Sequence, residues 1–419
     1  VDRLLLQGPT RLAGEVRAGG AKNAALPALA ACLLTEDAVE LEGLPDVRDI
    51  RTMLSLLQHF GVESSVDGDT TRLAARPTPA VDDAPYALVK TMRASVLSLG
   101  PLLARLGHAR VSLPGGCAIG VRPIDQHLAG LEALGAEVEL SHGYVTARAR
   151  RLEGARYRFE MPTVTGTENL LMAATLARGT TRLDNCAREP EIADLADLLR
   201  AMGARIEGAG TESIEIEGVD ALGGARHRII PDRIEAGTYL MAAAITGGDV
   251  RVANAMPTHL TALLEKMIEV GCQIDTSGDG IRLERTDALA PKDVVTAPHP
   301  GFPTDLQAQY MAVMTQAAGT STVCETVFEN RFQHVPELMR MGARIEIDGA
   351  LARVRGRTPL SAAKVMATDL RASACLVLAG LAADGTTLVD RIYHLDRGYE
   401  AMESKLQSLG ARVERVSDR

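Results

Sequence analysis

Apolar positions along the chain follow two rhythms. The stretch "ENLLMAATLA", residues 168–177, is apolar nearly all round, as a helix buried on every side requires. By contrast, "EIADLADLLRAMG" sets Ile192, Leu195, Leu198, Leu199 and Met202 on one face, with Gly203 as a C-terminal stop, which predicts a half-buried helix. Between them "GTTRLDN" predicts a turn and a short strand, and after them "ARIEG" and "SIEIEGV" alternate as two further strands. The order helix, strand, helix, strand, strand recurs in "YLMAAAITGGDVRVAN" with "LTALLEKMIEVGCQIDT", and in "LVLAGLAADGTTLVDR" with "GYEAMESKLQSLGARVERV".

A hydrophobic residue, glycine and a small residue mark the same point of each copy, at Gly61, Gly135, Gly203, Gly271, Gly342 and Gly410. The six copies, each of about 70 residues, are too long for solenoid units, so each holds several elements. A chain of 419 residues also exceeds the roughly 250–300 at which one hydrophobic core stops growing. The pattern predicts an α/β fold of two domains, three repeats per domain, with apolar helices inside and sheets outside. The seam is expected near "RHRIIPDR", giving a first domain over 22–229 and a second over 1–21 plus 230–419. The opening strand, before Gly20, has no partner in this count and is expected to close the C-terminal lobe.

Composition narrows the function classes. With 46% hydrophobic and 24% charged residues the chain reads as soluble and globular. A net charge of -9, 3% aromatics and no Trp argue against a nucleic-acid partner, which needs a basic surface or stacking platforms. The N-terminal apolar stretch is short for a signal peptide, and no run reaches the roughly 18 apolar residues of a membrane span, so no membrane partner and a cytoplasmic location are expected. Cysteines 32, 117, 186, 272, 324 and 375 form no CxxC pair or zinc-spaced cluster and are expected as free thiols.

The residues that open the buried helices are polar: Lys22 and Asn23, Arg93, Thr165 to Asn169, Asp232 to Thr238, Asp305, and Asp369 with Arg371. Helix N-termini favour anions, so an acidic protein can still hold a strongly anionic small molecule there. Thr, Asp and Asn at these places also serve as plain caps. In "SLPGGCAIGVRP" a lone thiol, Cys117, follows Gly115 and Gly116 and precedes Arg122, as a hinged loop carrying a reactive group would require.

The motifs "GAKNAALP", "LVKTMRAS", "SLPGGCAIGVRPID", "AREPEI", "PDRIEAGT", "TAPHPGFPTDLQAQ", "ETVFENRF" and "DRIYHLDRGYE" together resemble the enolpyruvyl transferases, in the branch that acts on UDP-N-acetylglucosamine at the start of peptidoglycan synthesis. The resemblance runs the length of the chain. It implies an inside-out α/β barrel of two three-repeat lobes, transfer of an enolpyruvyl group from phosphoenolpyruvate to the sugar 3-hydroxyl, and no metal or organic cofactor. It further implies that Lys22, Asn23, Arg122 and Arg397 meet phosphoenolpyruvate. The nucleotide-sugar contacts it implies are Arg93, Arg122, Pro123, Ile124, Asp125, Gln126, Thr165, Asp305 and Val327, with Arg331 and Asp369 nearby. Cys117 matches the lid cysteine that fosfomycin alkylates, and Cys117, Asp305, Lys22 and Arg397 stand as the catalytic set. One stretch, "MPTVTGTEN", departs from members that carry Lys and Ser where this chain has Pro162 and Val164.

Chemically, a free thiol is mostly protonated at neutral pH, so Cys117 suits an acid. Asp305 suits a base only if proton removal is concerted with attack on the enol. Three rivals stay open: the shikimate 3-phosphate branch of the family, whose members lack the cysteine lid; a ring-forming clamp of repeated α/β units; and a silent homologue that only binds the nucleotide sugar.

Overall fold

The computed structural model describes residues 2–76, 83–84, 89, 92–113 and 124–417. Cys117, Arg122 and Pro123, with the glycines at 115 and 116, lie outside the described residues. Chain contacts divide the described residues into two units, one over 20–230 and one combining 2–19 with 231–417. Each unit has its own hydrophobic core.

The repeat is written directly into the backbone. All six marker glycines have positive φ, from +84° at Gly61 to +106° at Gly203, the left-handed region in which a Cβ would be strained. In the third copy the helices are Val164–Ala174 and Pro190–Ala201, and the strands are Thr180–Asp184, Arg205–Glu207 and Ser213–Glu217. Ile192, Leu195, Leu198, Leu199 and Met202 are all buried, as their spacing predicts.

The sheets differ from the five-element unit expected of the sequence, because among the described residues each of the six is four-stranded. The added strand comes from the link before the buried helix, as with Arg156–Arg158, which runs parallel to Thr180–Asp184. In the first copy of each unit that place is taken by a segment distant in sequence. Ala225–Arg228 pairs in parallel with Val39–Glu42, and Ala13–Arg17 with Asp249–Ala253. The sixth copy lacks a final hairpin strand of its own, and Asp2–Gly8 fills the gap between Gly385–Asp390 and Arg412–Ser417.

Burial alternates along the strands, with one face on the core and one face solvated, whereas the first helix of each copy is buried along most of its length. Small residues allow this. Ala24, Ala25 and Ala28 to Ala31 are buried in Lys22–Ala31. Gly100, in Leu99–Leu106, lies so near Val164–Ala174 that a Cβ there would stand 2.6 Å from the Asn169 carbonyl oxygen. Helices Arg233–Thr246, Gln307–Met314 and Leu370–Ala382 pack on one another in the other unit.

Among the described residues no helix is long and apolar enough to cross a membrane, and no group of His, Cys, Asp and Glu could hold a metal ion. The five described cysteines are free; burial pushes the thiols of Cys32 and Cys186 up to about 12.

Candidate active site

In the unit of residues 20–230, Lys22 is the first residue of its helix, and Ala21 before it supplies no side-chain cap. Its Nζ lies 3.2 Å from Oδ2 of the buried Asp49, one residue inside Arg48–His59. A short-range ion pair of this kind fixes where the ammonium points. Asn23 follows, half-buried.

A second cluster in the same unit gathers around a residue the sequence patterns did not single out. His127, 1% exposed, has Nε2 3.2 Å from Thr165 Oγ1 and Nδ1 3.0 Å from Asn169 Nδ2. Asn169 accepts the Gly100 N–H on Oδ1 (2.8 Å) and donates from Nδ2 to the Val96 carbonyl (3.1 Å). With its amide oriented in that way, Asn169 presents a donor to His127. Nδ1 must then accept, and Nε2–H donates to Thr165. Burial, and secondarily the Arg93 guanidinium, push the His127 imidazole down to about 3, so it is neutral. Arg93 opens the 3-10 turn Arg93–Ser98. Thr165 and Asn169 are thus joined through one imidazole, and the Arg93 charge acts on the same ring.

Gln126, expected as a nucleotide-sugar contact, also has a structural task. Its Oε1 accepts the backbone N–H groups of Glu160 (2.7 Å) and Met161 (3.3 Å), and its own carbonyl accepts the Tyr157 hydroxyl (3.1 Å). It therefore shapes the turn that leads into Pro162. Thr163 caps the following helix by accepting Gly166 N–H, with Val164 as the first helical residue. Ile124 is buried ahead of Asp125–Ala133, and Asp125, the first residue of that helix, is exposed.

In the unit of residues 2–19 and 231–417, Asp305 is held on both sides. Arg331 Nη2 donates to its Oδ1 and Arg371 Nη2 to its Oδ2, both at 2.7 Å, and both guanidinium groups are buried. The plain capping role is excluded, since Asp305 sits inside the 3-10 turn Thr304–Leu306 and its carboxylate serves the two arginines instead. Two cations on one carboxylate leave the cluster with a net positive charge. That charge suits an anion.

Beneath this cluster Tyr399 supports Arg371, its ring 5.6 Å from the guanidinium carbon, and its hydroxyl meets Thr238 Oγ1 (2.9 Å) and Gln309 Nε2 (3.2 Å). Asp369 is a true N-cap, with Oδ1 accepting the N–H groups of Arg371 (2.8 Å) and Ala372 (3.0 Å). It sets Arg371 at the first turn of its helix. Arg397 ends the 3-10 turn Ile392–Arg397 and precedes Gly398, where a Cβ would lie 2.8 Å from Leu370 Cδ2. The Arg397 turn therefore rests on the same helix start. Val327 is half-buried, with its N–H bonded to the Glu325 carboxylate (2.9 Å).

Comparisons with known proteins agree with one another. A family model described as EPSP synthase (3-phosphoshikimate 1-carboxyvinyltransferase) matches residues 6–406. A UDP-N-acetylglucosamine 1-carboxyvinyltransferase of Koribacter versatilis is 58% identical over 100% of this chain and 97% of its own length. The protein of the same name from Myxococcus xanthus is 56% identical over 99% of each. Among solved structures, the enolpyruvyl transferase NikO from Streptomyces tendae superposes with a TM-score of 0.89 at 26% identity, over 100% of this chain and 99% of that one. An EPSP synthase from Acinetobacter baumannii shares the fold, with a TM-score of 0.76 at 18% identity over 99% of this chain and 100% of its own. With a model match from residue 6 to residue 406 and more than half its residues shared with full-length relatives, the chain belongs to the EPSP synthase family of enolpyruvyl transferases.

Proposed function

We propose that the protein transfers the enolpyruvyl group of phosphoenolpyruvate to the 3-hydroxyl of UDP-N-acetylglucosamine with release of phosphate, the first committed step of peptidoglycan synthesis. The observation that carries the choice of acceptor is the identity of 56–58% to UDP-N-acetylglucosamine 1-carboxyvinyltransferases, against 18–19% to the two EPSP synthase structures. A cytoplasmic location follows from that step, which acts on a soluble nucleotide sugar.

The chemistry is an addition followed by an elimination. The sugar 3-oxygen bonds to C2 of phosphoenolpyruvate while its methylene carbon takes a proton, giving a tetrahedral ketal phosphate. The C2–O bond to phosphate then breaks, a methyl proton leaves, and the vinyl ether forms. Electrons and atoms balance without an oxidant.

Lys22, Arg122 and Arg397 take the phosphate and carboxylate of phosphoenolpyruvate, with Asn23 beside them, because charge-assisted bonds to fixed cations are the strongest available. Cys117 supplies the proton for the methylene carbon and is the site of fosfomycin alkylation. Asp305 orients the 3-hydroxyl and removes its proton. The arginines that fix its plane support the orienting part of this role. Arg93, Thr165, which His127 aligns, residues 122–126 and Val327 take the nucleotide sugar.

The test is a substrate panel read by phosphate release. Phosphoenolpyruvate with UDP-N-acetylglucosamine should release phosphate, and with shikimate 3-phosphate should not; the reverse outcome defeats the proposal. Fosfomycin should abolish the release and leave its adduct on the Cys117 peptide by mass spectrometry. Loss of activity with that peptide unmodified would refute the lid assignment alone.

A further inference from the structure

We propose that Glu325 is a positioning residue that holds the base, Asp305, and the nucleotide-sugar contact, Val327, in a fixed mutual geometry. The inference rests on the function proposed above for those two residues. Glu325 is 4% exposed, and its carboxylate accepts four hydrogen bonds from three separate segments. Oε1 takes the Thr296 hydroxyl (2.8 Å) and the N–H groups of Val327 (2.9 Å) and Phe328 (3.2 Å), and Oε2 takes the Thr304 hydroxyl (2.9 Å). A buried carboxylate is tolerated only when its lone pairs are filled in this way.

The segments it joins are the ones that carry the chemistry. Thr304 is the first residue of the turn Thr304–Leu306, so a bond to its side chain sets the backbone from which Asp305 projects. Val327 and Phe328 belong to the turn after strand Thr320–Cys324, and the Phe328 ring lies 5.5 Å from the Arg331 guanidinium carbon. Arg331 in turn donates to Asp305. Thr296 closes the third side. It exchanges bonds with Thr326, accepting its N–H (2.9 Å) and receiving its hydroxyl on the main-chain oxygen (2.6 Å). It also stands at the mouth of the loop that returns to Phe302, where Ala297 N–H meets the Phe302 carbonyl (2.9 Å).

The Pro-rich stretch before Asp305 is therefore closed at its base and tied to the Val327 turn by one side chain. Asp305 is gripped twice. The arginines fix its carboxylate, and Glu325 through Thr304 fixes its main chain. A misplacement of about 1 Å at a reacting group is enough to cost on the order of 100-fold in rate. The four bonds to Glu325 come from Thr296, Thr304, Val327 and Phe328, none of them assigned above to phosphoenolpyruvate, so the contacts proposed for that substrate should be indifferent to its loss.

The experiment compares Glu325→Ala, Glu325→Gln and Thr304→Val with the wild-type protein, measuring kcat, KM for each substrate and Tm. Glu325→Ala should lower kcat by about tenfold or more and raise KM for UDP-N-acetylglucosamine, with KM for phosphoenolpyruvate within about twofold of wild type. Glu325→Gln should recover most of both losses, because its amide oxygen still accepts the two N–H groups and its amide nitrogen can donate to a threonine hydroxyl. Thr304→Val cuts only the link to the Asp305 turn. It should lower kcat severalfold with Tm little changed and both KM values kept, and so stands in if Glu325→Ala does not fold.

The proposal is overturned if Glu325→Ala lowers Tm while its folded fraction keeps wild-type kinetics, or if Thr304→Val matches wild type in kcat. It is equally overturned if KM for phosphoenolpyruvate rises as much as KM for the sugar. A wild-type protein inactive on UDP-N-acetylglucosamine would instead defeat the function proposed for the site, which the substrate panel detects before any variant is made.

Discussion

Asp305 concentrates at one residue the opposition between stability and catalysis. Both of its guanidinium partners are buried, so removing the carboxylate leaves two like charges facing each other away from water. Asp305→Ala is therefore expected to lower both Tm and kcat, the latter by roughly 10²–10⁴-fold as for loss of a general base. Asp305→Asn, which keeps one acceptor oxygen, should lose less Tm. Single-turnover formation of the ketal phosphate is the deciding measurement, and intact chemistry in Asp305→Ala would show that the residue is not the base. The two buried histidines give a separate prediction, in acid. Burial pushes His127 down to about 3 and His334 down to about 4. An unfolded chain protonates both near pH 6.5. Between pH 6.5 and about 4 the unfolded state thus binds more protons, and stability falls as pH falls, by up to about 1.4 kcal/mol per pH unit for each histidine. Urea unfolding at pH 7 and pH 5 should show this loss, and His127→Gln should show a smaller one. Neither histidine was visible as important in the sequence, because an isolated His carries no periodic signal. Its meaning comes from Asn169 and Thr165, some 40 residues away in the chain. Asp49 was hidden for the same reason; Glu325 opens the motif "ETVFENRF", but only the fold brings Thr296 and Thr304 to its carboxylate, whereas Lys22, Asp305 and Arg397 are legible from their motifs alone.

Among the elements, the amphipathic helices and long hairpin strands were legible because they repeat a period over several turns. The fourth strand of each sheet was not. Asp83–Ala84, Val294–Val295 and Lys364–Met366 are two or three residues long, too short for alternation to register, and what defines them is the neighbour they pair with. The sequence pattern also does not separate the 3-10 starts at Arg93–Ser98 and Thr304–Leu306 from ordinary helix beginnings. Helix against helix, one close approach bearing on the candidate site is at Gly100. An added Cβ would stand 2.3 Å from Asn169 Oδ1 and 3.3 Å from Ala173 Cβ. Gly100→Ala must therefore separate Leu99–Leu106 from Val164–Ala174 or break the bond that orients Asn169. Overpacking of this kind costs about 1–3 kcal/mol. The expected result is a lower Tm together with a raised KM for the nucleotide sugar, since Asn169 orients His127 and His127 aligns Thr165. A lower Tm with unchanged KM would separate the packing defect from the site.

Across the whole molecule the two units differ in how the chain builds them. Every strand of the three sheets in the unit of residues 20–230 comes from that continuous stretch, including Ala225–Arg228, which returns to complete the sheet of the first copy. The other unit is assembled from both ends of the chain. Without residues 2–17 it would lose Asp2–Gly8, a central strand with partners on both sides, and Ala13–Arg17, an edge strand. Loss of a central strand exposes two rows of unpaired backbone groups and the core face beneath Leu4 and Leu6, both fully buried. A fragment of residues 20–230 is therefore expected to fold alone, with a cooperative urea transition and dispersed amide NMR signals. A fragment of residues 231–419 is expected to aggregate or stay unfolded. Joining residues 1–19 to its C-terminus, so that Asp2–Gly8 can reach Arg412–Ser417 through a flexible linker, should restore cooperative unfolding. If residues 231–419 fold without that addition, the opening strand completes the sheet but is not needed to specify it. If the permuted fragment also fails, the unit depends on the rest of the chain for more than its missing strands.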